Sequence, residues 1–436
     1  MNRLSHVLIA VGLAVSLILP IAAFPSDWAG WVLLYLTFAL VPALISFRRR
    51  RSETLAIWFT LSAHHAVSIT NAYIMPDSGL VANDSHAFHN AAQLAASAGS
   101  YHFSAGSAFY GDILGLAYAV GGSSLFFGQE TSVVAYVLSC VVLLKLMDLL
   151  EISKARTAVI LVYGLMPAAL LYRAQTLREA WQILFFMSCV YGLLRFRLQN
   201  LIGGLAQAVV SALFLGLLHN GLVMYAAFLL FCGLLYRFGN SKGLSLRKMA
   251  AMAVSILMVG TLAVAMAMKK LPQTAAVDAL SDGEALTYAQ NYRKHSKVDA
   301  RAAYGIALET SSPIALVQSS SLLFVYFMLT PFPWQISASV DVYGALESYF
   351  RLLLIFACVY SWRRSMGIRR QMSLFMLTLY LSMSFMWGLG TVNWGTAMRH
   401  HVVGTWIIVL LGLPPLIAWV KKSSRGENPS PEELDL

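Results

Sequence analysis

Long apolar runs alternate with short polar segments from one end of the chain to the other. An α-helix needs about 20 predominantly apolar residues to cross a hydrocarbon core ~30 Å thick, and the runs are of that length. The pattern therefore predicts an all-α fold, a polytopic helical membrane protein with about twelve transmembrane helices. We place the spans near residues 6–23, 29–47, 54–74, 131–149, 157–173, 179–195, 200–218, 222–236, 249–268, 345–361, 371–388 and 402–420.

Clusters of basic residues decide the orientation of these spans. Because short cytoplasmic loops carry an excess of Lys and Arg, we place the clusters and both termini in the cytoplasm. Two further apolar stretches, 107–127 and 315–332, would each put a basic cluster on the wrong side if they crossed alone. We therefore expect two re-entrant or interfacial helices on the outer face. The basic clusters are 48–53, 153–156, 195–197, 236–248, 362–370 and 421–425.

The spans and loops divide the chain into segments. The N-terminal run could pass for a signal peptide, but its length and the span that follows favour an uncleaved first helix. The last segment is polar and acidic, so we expect a disordered cytoplasmic tail. In chain order the segments are 1–75 (first three transmembrane helices), 76–130 (outer loop with an acidic motif and amphipathic or re-entrant helices), 131–269 (central transmembrane helices), 270–344 (outer loop with a re-entrant helix), 345–420 (last three transmembrane helices) and 421–436 (tail).

Composition excludes several classes of protein. The chain is 58% hydrophobic and 12% charged, whereas a soluble domain is about 25% charged. Its net charge of +11 would suggest nucleic-acid binding in a soluble protein. Here the basic residues lie in short loops beside spans, so we expect no nucleic-acid partner. The cysteines lie inside apolar runs and are interpreted as buried thiols rather than disulfides.

The first outer loop contains the polar stretch LVANDSHAFHNAAQLAAS at 80–97. Asp84 is a candidate general base, and His86 and His89 are alternative candidates for that role. Asp84 is equally suited to be the N-cap of the helix that follows, and the two roles are compatible. The histidines can belong to a simple polar surface helix. Together with Asp84 they can hold a divalent metal, but the pattern does not favour one, and we expect no cofactor.

Several cations also lie on the outer face, where positive charge is normally depleted. Cations close to the membrane on this side indicate an anionic partner, such as a lipid phosphate or diphosphate. Ion pairing between Arg178 and Glu179, and snorkelling of Arg173 to head groups, are the alternative interpretations. The candidate phosphate- or substrate-binding residues are Arg173, Arg178, Glu179, Arg301, Arg399 and His400.

The order of these motifs resembles a known superfamily. An early span leads to an acidic outer loop, an amphipathic helix and an apolar Tyr/Gly-rich helix (NDSHAFHNAAQLA, then GSAFYGDILGLAYAVGG). Further similar features are MPAALLYRAQTLREAW, RAAYG at 301–305, TPFPWQ at 330–335 and NWGTAMRHH at 393–401. The chain resembles the GT-C superfamily of integral membrane glycosyltransferases and, more narrowly, the polymerase-like membrane proteins of bacterial exopolysaccharide and O-antigen gene clusters.

The resemblance implies a polyprenyl-phosphate or polyprenyl-diphosphate sugar donor in a groove that opens to the outer leaflet of the bacterial inner membrane. It implies that Asp84 acts as base or metal ligand and that Arg178, Arg399 and, less strongly, Arg301 hold the phosphate. Many GT-C enzymes carry a paired acidic motif, whereas Asn83 and Ser85 flank Asp84 here. This departure argues against metal-dependent protein glycosylation and leaves sugar or glycan transfer without a metal open. Other polysaccharide-assembly proteins are expected partners.

The sequence leaves alternatives open. A transporter or flippase of lipid-linked glycans would need polar residues within several spans, and the spans show few beyond His64, His65, Ser68 and Asn71. A non-catalytic membrane component of a synthase complex is a further alternative. Within the enzyme class, the basic and aromatic loop near 270–314 could bind a second glycan. This slightly favours a polymerase over a single-sugar transferase.

Overall fold

A computed structural model describes residues 18–45, 51–76, 81–236 and 302–424, together with positions 287, 290, 291 and 293. Within these residues the chain is helical, without strands, and the all-α prediction is confirmed. The α-helices are α1 (Trp28–Ile45), α2 (Arg51–Ile69), α3 (Asn83–Ala98), α4 (Ser107–Gly121), α5 (Leu125–Leu149), α6 (Arg156–Leu165), α7 (Pro167–Arg173), α8 (Glu179–Gln199), α9 (Ile202–Leu218), α10 (Asn220–Leu235), α11 (Pro313–Leu329), α12 (Ser339–Arg364), α13 (Gly367–Gly390) and α14 (Trp394–Ser423).

Four helical segments among the described residues are long and apolar enough to cross a membrane. The shortest have 24 residues, which at 1.5 Å per residue reach roughly 36 Å, more than a hydrocarbon core of ~30 Å. Shorter apolar helices, α6, α9, α11 and most of α10, accompany them. These helices support a membrane protein, and the full set of spans stays a prediction. The four segments are Leu125–Leu149, Asp341–Arg364, Gly367–Gly390 and Trp394–Lys421.

Some sequence predictions lie outside the described residues. They concern most of the span at 6–23, the span at 249–268, most of the outer loop between 270 and 301, the candidate Arg301 and the tail beyond residue 424.

The predicted span at 157–173 is divided in the structure. It breaks into α6 and α7 at Pro167, which has no N–H to continue the helix and restricts Met166 to extended backbone (ψ 128°). The Ala168 N–H at the new helix start donates to Oε2 of Glu347 at 2.9 Å. A carboxylate from α12 therefore satisfies a backbone group that the break exposes inside the bundle.

The apolar stretch at 107–127 is also divided. Helix α4 ends at Gly121, and Ser124 caps α5 because its hydroxyl accepts the Phe127 N–H at 3.0 Å. Helix α5 therefore begins at Leu125, several residues before the predicted start near 131.

Helices α8 and α9 cross with their backbones in contact. A Cβ at Gly192 would lie 2.5 Å from the Gly204 carbonyl oxygen, and one at Gly204 would lie 2.6 Å from that of Gly192. Small residues allow this close approach, as they do between membrane helices generally. Helix α8 also packs against α5, α10 and α14. Its first residue, Glu179, therefore begins a helix that is packed against helices from both halves of the chain.

Helices α3 and α4 form a hairpin that packs on the start of α8 and the end of α9. Phe88 of α3 and Tyr110 of α4 meet edge to face, with ring centroids 5.0 Å apart. They belong to a small apolar core that includes Leu177 and Leu218. The Gly106 N–H, just before α4, donates to the Leu217 carbonyl at 2.8 Å. The hairpin is thus anchored where the candidate residues of α3 and α8 meet.

Candidate functional site

Asp84 and Arg399 are 315 positions apart in the sequence and form an ion pair between Oδ2 and Nη1. On its other side, Arg399 Nε lies 3.1 Å from Oε1 of Glu179. We call these three side chains the Arg399 cluster. The Asp84 side chain is 50% exposed, whereas that of Glu179 is 2% exposed. Glu179 therefore contacts the Arg399 guanidinium on its buried side, and Asp84 is the solvent-accessible partner of Arg399.

The segment before α8 positions Asp84. The N-cap position of α3 is Ala82, which makes no side-chain cap, so the interpretation of Asp84 as N-cap is wrong. Asp84 lies in the first turn, where a carboxylate still favours the helix dipole. Gln175 Oε1 accepts the Ala82 N–H at 2.9 Å, and Ser85 Oγ accepts the Thr176 N–H at 3.2 Å. These bonds hold the start of α3 beside Glu179.

One backbone contact, one side-chain contact and a cap position Arg399 in the second turn of α14. The Asn393 side chain caps the helix by accepting the N–H three residues along at 2.8 Å. The Trp394 N–H donates to Ala302 O at 3.1 Å, and its indole N–H donates to Asp341 Oδ1 at 3.0 Å. The NWGTAMRHH motif therefore meets the described part of RAAYG.

Arg178 lies next to the Arg399 cluster, at the last position before α8. Its Nη1 donates to Leu218 O at 3.2 Å and to Ser107 Oγ at 3.3 Å. Its guanidinium lies 5.5 Å from the centroid of the Phe88 ring. Arg178 therefore joins the α3–α4 hairpin to the end of α9, while Glu179 pairs with Arg399.

His400 belongs to an aromatic group beside the two arginines. Its ring stacks on Trp387 with centroids 3.9 Å apart, and Nδ1 lies 2.9 Å from Thr391 Oγ1. The His219 ring lies 4.7 Å from Trp387 and 6.4 Å from His400. Sequence reasoning did not include His219 among the candidates, because a single His in a short turn between apolar helices has no distinguishing pattern.

The histidines of α3 have different surroundings. Nδ1 of His89 lies 2.8 Å from the Tyr118 hydroxyl of α4. Burial, and to a smaller extent the neighbouring His86, lowers the pKa of His89. His86 is half-buried. Among the described residues, no group of three His, Cys, Asp or Glu side chains is placed to hold a metal ion.

Arg173 is buried in the helix bundle, so the snorkelling interpretation is wrong. Its Nη1 donates to Tyr163 O at 2.8 Å, and its guanidinium lies 4.0 Å from the Tyr163 ring centroid and 5.7 Å from that of Tyr136. The structure places it against α5 and α6 rather than in the Arg399 cluster.

An apolar cleft of about 360 Å³ adjoins Arg178. Ile113 and Phe214 are partly exposed, so the cleft opens to the surface between α4 and α9. Leu218 lines its wall and accepts the Arg178 hydrogen bond through its carbonyl. The lining residues are Phe109, Tyr110, Ile113, Leu114, Ala117, Thr131, Trp181, Phe185, Phe214 and Leu218.

Comparison with known proteins assigns no family to the chain. No protein-family model matches it, and a search of curated proteins found no significant match.

Proposed function

We propose that the chain is a membrane glycosyltransferase or glycan polymerase that acts on polyprenyl-phosphate- or polyprenyl-diphosphate-linked sugars. It would act at the outer face of the bacterial inner membrane, in surface polysaccharide assembly. The observation that carries the proposal is the meeting of the Arg399 cluster, Arg178 and an apolar cleft. A lipid-linked sugar has an anionic head and an apolar chain, and surfaces suited to both lie side by side here.

The exposure of the cluster supports a role for Asp84 as the exchangeable group. A phosphate that reaches Arg399 meets the half-exposed Asp84 rather than the buried Glu179. Guanidinium groups bind phosphate as well as carboxylate, often through two parallel hydrogen bonds. Phosphate binding would therefore displace Asp84 from Arg399 and leave its carboxylate beside the sugar.

The proposed reaction is a displacement at the anomeric carbon. The acceptor hydroxyl oxygen forms the new bond to that carbon, and Asp84 takes the hydroxyl proton. The bond between the anomeric carbon and the phosphate oxygen breaks, and the lipid phosphate leaves with the electron pair. Arg178 and Arg399 would stabilise the charge that develops on the leaving phosphate.

A binding experiment tests the proposal without knowledge of the sugar. The purified protein in nanodiscs would be offered a long-chain polyprenyl phosphate or the uncharged polyprenol, and retained lipid measured by native mass spectrometry. We expect preference for the phosphate, and Arg178→Gln to abolish the preference. The exposed Arg369→Gln, whose native side chain pairs with Glu151, is the matched control. Equal retention of phosphate and alcohol by the wild type would refute the proposal.

The cleft has a matched pair of variants on α4. Ala117 lines the cleft, whereas Ala119 is exposed and outside it. Ala117→Trp should reduce retention of the polyprenyl phosphate because the indole occupies space for the lipid chain. The Ala119→Trp variant should retain as much polyprenyl phosphate as the wild type does.

Buried charges favour a transporter as the second candidate function. Glu130 is fully buried and lies 2.9 Å from Nδ1 of His65, and Glu347 and Arg351 pair at 3.5 Å. Ionisable residues inside a membrane bundle commonly mark transport pathways, and the sequence pattern had shown few such residues. A proteoliposome assay separates the candidates. A transporter moves a lipid-linked glycan across the bilayer unchanged, whereas the proposed enzyme yields a new glycosidic bond.

A further inference from the structure

His219 occupies the turn between α9 and α10, immediately after Leu218. The Leu218 carbonyl accepts the hydrogen bond of Arg178, and the His219 ring lies 6.4 Å from that of His400, the neighbour of Arg399. An anion that contacts both guanidiniums would therefore lie beside the His219 ring. The residue as a whole is partly exposed.

A backbone hydrogen bond determines which ring nitrogen of His219 carries a proton. The Gly221 N–H donates to His219 Nδ1 at 3.1 Å. A backbone N–H can only donate, so Nδ1 must accept with its lone pair and cannot be protonated while this bond exists. The ring proton is then on Nε2, because the tautomer of a neutral imidazole is set by the bond at its other nitrogen.

The charged surroundings of His219 oppose a second ring proton. The groups that face it are Arg178 before α8, and Arg399 and His400 of α14. Burial, then Arg178 and Arg399, hold the pKa of His219 well below its usual range. Burial and two cations thus keep the imidazole neutral, in agreement with the hydrogen bond from Gly221.

We propose that His219 is a neutral hydrogen-bond donor, through Nε2–H, to the phosphate of the lipid-linked substrate. This inference rests on the proposed function and adds a residue to that site. A neutral donor adds directional binding to a phosphate oxygen between the two guanidiniums. It also avoids the repulsion that a third cation would suffer there.

Nitrogen NMR of histidine-labelled protein in nanodiscs tests the tautomer directly. The His219 signals are identified by their loss in His219→Gln. We expect an unprotonated Nδ1 and a protonated Nε2 at neutral pH, and addition of polyprenyl phosphate should shift the Nε2 signal more than the Nδ1 signal. A protonated Nδ1, or an Nε2 signal that does not shift when polyprenyl phosphate is added, would overturn the inference.

Affinity measurements separate this inference from the function itself. His219→Phe should weaken polyprenyl-phosphate binding about tenfold, as loss of one hydrogen bond to a charged group predicts, and His219→Gln, with an amide donor, should weaken it less. If the wild type shows no preference for phosphate over polyprenol, the proposed function fails. A different result would refute only the role of His219. In that case the wild type prefers the phosphate, Arg178→Gln abolishes the preference, and His219→Phe still binds polyprenyl phosphate as tightly as the wild type does.

Discussion

Two ion pairs of the same chemistry have opposite surroundings in this molecule. Arg399 pairs with Asp84, whose side chain is half-exposed, whereas the side chains of Arg351 and Glu347 are at most 3% exposed. A ligand can compete for the first guanidinium, but only protein reaches the second. Exposure, and not charge alone, therefore separates an ion pair that can exchange partners from one that stabilises the fold.

Each member of the buried pair has a further hydrogen-bond partner. Glu347 accepts the Ala168 N–H at the break between α6 and α7, and Arg351 donates to Ser348 Oγ at 2.7 Å. Glu347 thereby connects α12 to the interrupted helix, and Ser348 and Glu347 hold the Arg351 guanidinium within α12. The Arg399 cluster also joins helices, but one of its two carboxylates remains within reach of solvent.

The largest expected effect follows from removing one partner of the buried pair. Arg351→Met should lower the free energy of unfolding by about 3–5 kcal/mol, because Glu347 would remain as a buried charge without its cation. Denaturant unfolding in detergent micelles measures this loss. The double variant Glu347→Gln/Arg351→Met should recover much of it, since the amide oxygen still accepts the Ala168 N–H. A single variant as stable as the wild type would remove the distinction between the two pairs.

A substitution in the half-exposed pair of Asp84 and Arg399 should change activity rather than stability. Asp84→Asn should lower glycosyl-transfer turnover by about 10²- to 10⁴-fold, the range of general acid–base catalysis, while Arg399 keeps its contact with Glu179. The unfolding midpoint should stay close to that of the wild type. Gln93→Ala, at an exposed position of the same helix, is the control. Loss of folding in Asp84→Asn would assign the pair a structural role instead.

An intermediate effect is expected from the pH dependence of His89, which lies on the same helix as Asp84. Burial and His86 lower its pKa in the folded chain, whereas the unfolded chain binds the proton with a pKa of about 6.5. The stability due to neutral His89 is therefore complete above that pH and is lost as the pH falls below it. Thermal unfolding between mildly acidic and neutral pH should show this loss, and His89→Gln should reduce it. The same change of the unfolding temperature with pH in the wild type and in His89→Gln would contradict the prediction.

The smallest effect is expected at the surface pair between Arg369 and Glu151. Its side chains are 35% and 76% exposed, and exposed pairs contribute about 0–1 kcal/mol. Arg369→Gln should therefore leave the free energy of unfolding almost unchanged and leave polyprenyl-phosphate binding intact. A loss as large as that of Arg351→Met would show that exposure does not rank these pairs.

Much of the helical architecture could be predicted because apolar length acts locally. The runs around Leu125–Leu149 and Trp394–Lys421 are long enough to indicate helices without any knowledge of their neighbours. Breaks inside such runs were harder to place. Pro167 interrupts a predicted span, and the compensating carboxylate of Glu347 comes from a distant helix.

The candidate site was predicted as a set of residues but not as an arrangement. Asp84, Glu179 and Arg399 were singled out by charge and position, yet the pairing of Arg399 with both carboxylates needed the fold. Arg173 belonged to the same set and lies instead against Tyr163. His219 belonged to none, because only its distance from His400 and the Gly221 bond distinguish it.

Hydrophobic length and helical hydrogen bonding are local properties, so the all-α fold and the apolar helices suited to a membrane could be predicted from the sequence alone. Which charged side chains meet, and which of them solvent can reach, follows from tertiary packing instead. Those properties depend on contacts between α3, α8 and α14, whose residues are far apart along the chain. Packing brings these residues together, and exposure then distinguishes the candidate site at Arg399 from the buried structural pair of Glu347 and Arg351.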